Sequence, residues 1–240
     1  MFPLLQLGPI AIQVPGLILL IAVWLGLTLS EKEAIRQKRP SEPIYGLVMT
    51  GIVGGVLGAK LWYVGRYLDT YLADPAGIFS FNSNTFDATA GLMIGFVAAI
   101  LFGYVKKLPL RPTLDMLAPG LALFTVGVGL SNLSSGDAFG AVTDVPWAIE
   151  LWDANRHPTQ IYEIMLALVV LGLVWKLRRT ALFPGFLFLS WLSLTAVSRL
   201  FVEAFRGDSI IVADSIRQAQ LAALAIFLIA LWLMRQWYQA

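Results

Sequence analysis

The chain has 240 residues, 58% of them hydrophobic and 13% charged, with seventeen lysines and arginines against fifteen acids for a net charge of +2. At a mean hydropathy of +0.75, no water-soluble domain could cover its surface with polar groups, so the chain reads as an integral membrane protein. The lack of cysteine excludes disulfides, thiolate catalysis and cysteine-bound metal, and a single histidine argues against a histidine-based metal centre.

Apolar runs of roughly 17 to 25 residues mark membrane-spanning helices. They fall at about residues 14–29, 44–63, 88–104, 113–130, 158–175, 183–202 and 221–237, which predicts an all-α fold of seven transmembrane helices. The first run has no basic residue before it and a basic cluster after it, so it reads as a retained helix and not as a signal peptide. In span two, Gly51, Gly54, Gly55 and Gly58 form two pairs four residues apart, a spacing that predicts close packing against another helix. The segment 131–157 carries Asn132, Asp137, Asp144, Glu150 and Asp153, and Pro158 is expected to open span five at a position where its missing N–H is harmless.

Basic residues orient these spans. Lys32, Arg36, Lys38, Arg39, Lys106, Lys107, Arg111, Lys176, Arg178, Arg179 and Arg235 fall on one side, whereas the other holds Arg66, Arg156, Arg206 and Arg217. The positive-inside rule then puts the N-terminus outside and the C-terminus in the cytoplasm. Residues 1–13 become an outer-surface segment, and 64–87 and 131–157 become outer loops of one polytopic domain covering 1–240. The aromatics Trp62, Tyr63, Trp147, Trp152 and Tyr162 are expected as anchors at the interface.

Four ionisable residues, Lys60, Glu163, Arg199 and Glu203, lie inside spans. Such groups cost several kcal/mol unless paired or hydrated and mark a polar site by default. With the orientation above, all four fall toward the outer leaflet. At 100° per residue, Arg199, Glu203 and Arg206 lie within about 60° of one another, a stripe of cation, anion and cation. Guanidinium forks bind phosphate through two parallel hydrogen bonds while a carboxylate orients one fork, so the stripe suits an anionic phospholipid headgroup. An intramolecular salt bridge tying span six to its neighbours, or snorkelling to the interface, is the structural alternative. A transporter would want polar groups or broken helices near mid-membrane, and this sequence has its charges toward one end. No nucleic-acid signal, nucleotide loop, cofactor motif or metal site is apparent.

Several motifs resemble the bacterial prolipoprotein diacylglyceryl transferases. Arg156-His157-Pro158-Thr159-Gln160-Ile161-Tyr162-Glu163 is similar to that family's Arg-His-Pro-Ser-Gln-Leu-Tyr-Glu motif, and Arg199, Glu203 and Arg206 match its Arg-x-x-x-Glu-x-x-Arg segment. Leu7-Gly8-Pro9-Ile10-Ala11-Ile12 resembles the family's opening strip, which lies on the outer surface, and Gly58-Ala59-Lys60-Leu61 resembles Gly-x-Arg-Leu with lysine for arginine. Asn132, Gly136, Asp137 and Gly140-Ala141-Val142-Thr143-Asp144 stand at the spacing of the family's signature loop. The resemblance runs in the same order along nearly the whole chain.

What the resemblance implies is transfer of diacylglyceryl from phosphatidylglycerol to the thiol of a lipobox cysteine in a secreted precursor, releasing glycerol phosphate, at the bacterial cytoplasmic membrane with the site facing outward. It assigns Lys60, Asn132, Arg199, Glu203 and Arg206 to the headgroup, gives His157, Gln160 and Tyr162 structural roles, and leaves Asp137 or Glu163 to handle protons. The chain also departs from the family. Ala90 stands at the family's histidine, Gly129 at its signature-loop arginine, and Thr195 and Pro15 at two tyrosines. Two readings follow: a divergent transferase acting on phospholipid and lipobox precursors, or a catalytically lapsed homologue that keeps its lipid cleft as an accessory subunit of a larger membrane complex. The joint loss of four polar groups favours the second slightly.

Overall fold

The computed structural model describes residues 4–7, 10–80, 82, 85–212 and 215–239. Among them are seven helices long and apolar enough to cross a membrane: α1 (Val14–Arg36), α2 (Glu42–Arg66), α4 (Ala88–Val105), α5 (Leu110–Ser135), α6 (Thr159–Leu177), α7 (Phe186–Glu203) and α8 (Gln218–Gln239). The short helix α3 (Leu68–Ala73) lies between α2 and α4. Each long helix overlaps one predicted span. The main difference is at α1, which continues past its apolar run to Arg36, within the basic cluster, because the run ends before its helix-forming residues do. Gly8 and Pro9 of the opening strip lie outside the described residues.

The chain divides into two compact units, Met1–Glu33 with Arg111–Ala240, and Ala34–Leu110. In the first, the core is built from Ala118 and Ala122 of α5, Val170 and Val174 of α6, and Leu187 of α7. The chain enters α7 through Gly185 at φ +95°, a conformation that favours glycine. Asp115 of α5 closes that helix start, accepting hydrogen bonds from Gly185 N at 2.6 Å and Phe188 N at 3.0 Å. The segment preceding α1 is an antiparallel hairpin of β1 (Leu4–Leu7) and β2 (Ile10–Gln13), a pairing that four-residue apolar runs do not announce.

The connection from α5 to α6 is a small β structure. β3 (Ile149–Leu151) and β4 (Ala154–Arg156) form a hairpin whose turn residues, Trp152 and Asp153, both have positive φ, at +54° and +57°. Tight two-residue hairpins need that twist, which aspartate tolerates and tryptophan rarely adopts. Trp152 Nε1 donates to Gly136 O at 3.3 Å. Residues 139–143 then run between this hairpin and the end of α7. Ala141 N donates to Phe205 O at 2.8 Å, Gly207 N to Phe139 O at 2.9 Å, His157 N to Ala141 O at 3.0 Å, and Thr143 N to Asn155 O at 2.9 Å. Gly140 is required at the centre, since a Cβ there would run into the His157 carbonyl.

In the second unit, α2 and α4 pack through glycine as their spacing predicts. A Cβ at Gly91 would lie 2.9 Å from Gly55 O, and one at Gly55 3.0 Å from Gly91 O, so the two backbones touch. Asp87 caps α4 by accepting from Ala90 N at 2.9 Å.

Candidate functional site

Glu163, one turn into α6, gathers the polar groups of the first unit. Its Oε1 accepts from Arg199 Nη1 of α7 at 3.1 Å and from Arg206 Nη1 at 2.7 Å. Its Oε2 faces Asn132 Nδ2, from the last turns of α5, at 3.4 Å. Glu203, 1% exposed, pairs through Oε2 with Arg199 Nη2 at 2.9 Å and accepts from Ser209 Oγ on Oε1 at 2.6 Å. Arg206 completes a fork with Asp208, Nε to Oδ1 at 2.9 Å and Nη2 to Oδ2 at 2.6 Å. Arg217, just before α8, donates to the carbonyls of Glu203 and Arg206 and to Ser209 Oγ.

The order along α7 explains half of this arrangement. Arg199 and Glu203 are four residues apart and pair along the helix, as the stripe predicts. Arg206 is not on the helix. α7 ends at Glu203, and Arg206 bridges Gly140 in the β ladder, so the loop and not helical periodicity aims its guanidinium at Glu163. The salt bridge considered as the structural alternative is therefore present, joining α6 to α7. Burial disfavours the Arg206 charge, but the Asp208 fork and Glu163 outweigh it and raise its pKa above the usual arginine value, so the group stays cationic.

The other predicted residues have separate partners. Gln160, fully buried, donates through Nε2 to Asp137 O at 2.9 Å, and Thr159 Oγ1 donates to Ala138 O at 2.7 Å, so the start of α6 holds the signature loop by its carbonyls. The Asp137 side chain is exposed and accepts from Ser135 Oγ at 2.7 Å. His157 stacks edge-on to Phe205 at 5.2 Å, with its Nδ1 3.5 Å from Tyr162 Oη, and Tyr162 Oη accepts from Trp147 Nε1 at 2.7 Å. In the second unit, Lys60 is buried and donates to Ser80 O and Thr85 Oγ1, both at 2.8 Å, with its ammonium near the rings of Phe86 and Tyr71. Lys60 thus clips the segment after α3 to α2.

The positions where the chain departs from the family motifs have clear surroundings. Gly129 and Thr195 both line a cavity of about 210 Å³ that also borders Asn132, Glu163 and Arg199. Pro15 accepts a bond on its carbonyl from Ser131 Oγ at 3.2 Å. Ala90 lies in the first turn of α4. Asp208, Ser209 and Arg217 complete the ion cluster, and sequence reading missed them because they follow the helix in a loop. The Arg-Gly-Asp order at 206–208 was the available signal, since a fork two residues away suits a turn.

Comparison with known proteins agrees with this architecture. The family model described as prolipoprotein diacylglyceryl transferase matches residues 3–236. Relatives named phosphatidylglycerol–prolipoprotein diacylglyceryl transferase include one from Geobacillus kaustophilus, 30% identical over 97% of this chain and 91% of its own length. One from Synechococcus elongatus is 29% identical over 92% of this chain and 82% of its own length. One from Thermosynechococcus vestitus is 28% identical over 98% of this chain and 92% of its own. Matched from end to end and built on seven apolar helices, the chain belongs to the prolipoprotein diacylglyceryl transferase family.

Proposed function

We propose that this protein binds a phospholipid headgroup at the Arg199, Glu203 and Arg206 cluster and moves diacylglyceryl from phosphatidylglycerol to a lipobox cysteine of a precursor protein. The observation that carries the reading is the convergence of two guanidiniums and Asn132 on Glu163 beside a cavity between helices. A headgroup phosphate entering there would take over guanidinium donors now held by Glu163 and gain charge-assisted bonds in a poorly hydrated site. Released from an arginine, Glu163 becomes a carboxylate able to accept the thiol proton, with Asp137 as the other candidate. In the balanced step, thiolate sulfur forms a bond to the glyceryl carbon, the carbon–oxygen bond to phosphate breaks, and glycerol phosphate leaves with the electron pair.

In this reading residues 1–240 form one polytopic domain of a bacterial cytoplasmic membrane, with the N-terminus and the site outside. His157, Gln160 and Tyr162 hold the loop, and Lys60 supports the outer segment after α3. A second reading, a lapsed homologue serving as an accessory subunit, is favoured by Ala90, Gly129, Thr195 and Pro15, which offer no proton acceptor or cationic side chain. The test is a transfer assay: purified protein, phosphatidylglycerol and a lipobox peptide, scored by mass for a diacylglyceryl adduct beside an active family member. An adduct that disappears in Arg199→Ala establishes the enzyme. No adduct, with lipid still bound and the control active, leaves the accessory reading.

A further inference from the structure

The connection from α7 to α8 shows aliphatic side chains on its surface. β5 (Ile211–Val212) pairs antiparallel with β6 (Ile216–Arg217), and Gln218 N, at the first residue of α8, donates to Ile210 O at 2.9 Å and closes the base of the hairpin. Ile210, Ile211, Val212 and Ile216 are between 42% and 68% exposed. Four β-branched aliphatic residues on one short hairpin are unfavourable in water and mark a surface with an apolar partner.

The length of α8 indicates which partner. Its 22 residues rise about 33 Å, close to the hydrocarbon thickness of about 30 Å. The two paired rungs of the hairpin reach about 7 Å further. On each side of a bilayer the headgroup layer is about 5–7 Å thick. The hairpin therefore lies within that layer, at the depth where interfacial elements lay an apolar face against acyl chains.

The polar groups at its root are engaged inside the protein. Arg206 forks onto Asp208 at 2.9 and 2.6 Å. Arg217 of β6 donates to Glu203 O, to Arg206 O at 2.7 Å and to Ser209 Oγ at 3.0 Å. Ser209 Oγ in turn donates to Glu203 Oε1 at 2.6 Å. One guanidinium thus gathers the chain from Glu203 to Ser209, the stretch that carries Arg206.

We infer that the β5–β6 hairpin is an interfacial foot whose partner is the lipid surface at the membrane face where α7 ends, and that Arg217 couples its seating to the loop that aims Arg206 at Glu163. Neither part depends on what the ion cluster binds. The aliphatic side chains rest on the boundary between headgroups and acyl chains, and Arg217 carries that fixed depth to the carbonyls behind Arg206.

The chain has no cysteine, so one introduced thiol reports one position. Ile211→Cys and, for comparison, Glu150→Cys on the exposed side of β3 each carry a polarity-sensitive fluorophore in the full-length protein. The protein sits in nanodiscs of phosphatidylglycerol and phosphatidylcholine, one copy per disc, with both faces open to water. Lipid bearing a nitroxide high on its acyl chain should quench the probe at 211, and aqueous iodide should not. The probe at 150 should behave in the opposite way. Iodide quenching at 211 equal to that at 150 overturns the inference, as does shielding that appears only with a second copy in the disc or with added lipobox peptide. For the coupling, Ile210→Ser with Ile211→Ser, and separately Arg217→Gln, should speed amide hydrogen exchange at residues 204–209 while α5 keeps its native protection. Unchanged exchange at 204–209 in either variant overturns the coupling.

Discussion

The two ends of α7 both meet buried carboxylates, and they use them differently. At its start, Asp115 is 5% exposed, and its two oxygens accept from the backbone N–H groups of Gly185 and Phe188. At its far end, Glu203 and Glu163 face side chains: Arg199, Arg206, Ser209 and Asn132. Backbone amides at a helix start have no other partner, so a carboxylate serving them is part of the fold. Guanidiniums can exchange one anion for another at small net cost, so a cluster of side chains beside an open cavity can rearrange around a ligand. The contrast distinguishes a cap from the proposed site by the identity of the hydrogen-bond partners.

Substitutions should respect that division. The largest effect is expected at Gly140→Ala, where the new Cβ meets the His157 carbonyl and parts the ladder that aims Arg206. It should cost about 3 kcal/mol by overpacking and abolish lipid binding together with stability, measured by thermal unfolding in detergent. Glu163→Ala comes next. It leaves the Arg206 Nη1 donor without its partner at 2.7 Å. The loss should be about 2 kcal/mol, below the range for a fully buried pair because both side chains keep some contact with solvent and Arg206 keeps its fork with Asp208. Added anionic lipid should restore part of this loss by replacing the carboxylate. A stability loss that lipid does not restore would make the cluster structural, like Asp115.

Asp115→Ala should cost about 1–2 kcal/mol, the value of a helix cap, and leave lipid affinity unchanged in the same binding assay. A parallel loss of affinity would erase the distinction between the two ends. Lys60→Met gives up two hydrogen bonds and contacts with two rings. It should act locally at about 1 kcal/mol, seen as faster proteolysis within residues 67–87 while overall unfolding hardly moves.

The helices were legible because membrane solvent demands long apolar runs, and the Arg199–Glu203 register was legible because helical spacing is fixed. Glycine spacing in span two likewise foretold close packing on another helix, and the structure shows that helix to be α4. Arg206 shows where this logic stops. Seven residues beyond Arg199 it belongs to the same helical stripe on paper, yet the backbone has left the helix to pair with residues 139–141, more than sixty positions earlier. Non-local pairing of short segments carries no periodic signature, and the local pairs β1–β2 and β3–β4 were not foreseen because strands of three or four residues are too short to show an alternation. The cavity was not legible: Gly129 and Thr195 read in the sequence only as departures from the family motifs. That they border one space with Glu163 depends on how three helices pack.

The most direct test of the contrast is equilibrium binding of phosphatidylglycerol to the native protein, to Arg199→Gln and to Asp115→Asn. Arg199→Gln should weaken binding at least tenfold, the loss of a charge-assisted hydrogen bond, while Asp115→Asn binds as the native protein does. Equal affinities for all three, or equal losses in both variants, would contradict the assignment of the Arg199 end of α7 as the lipid site.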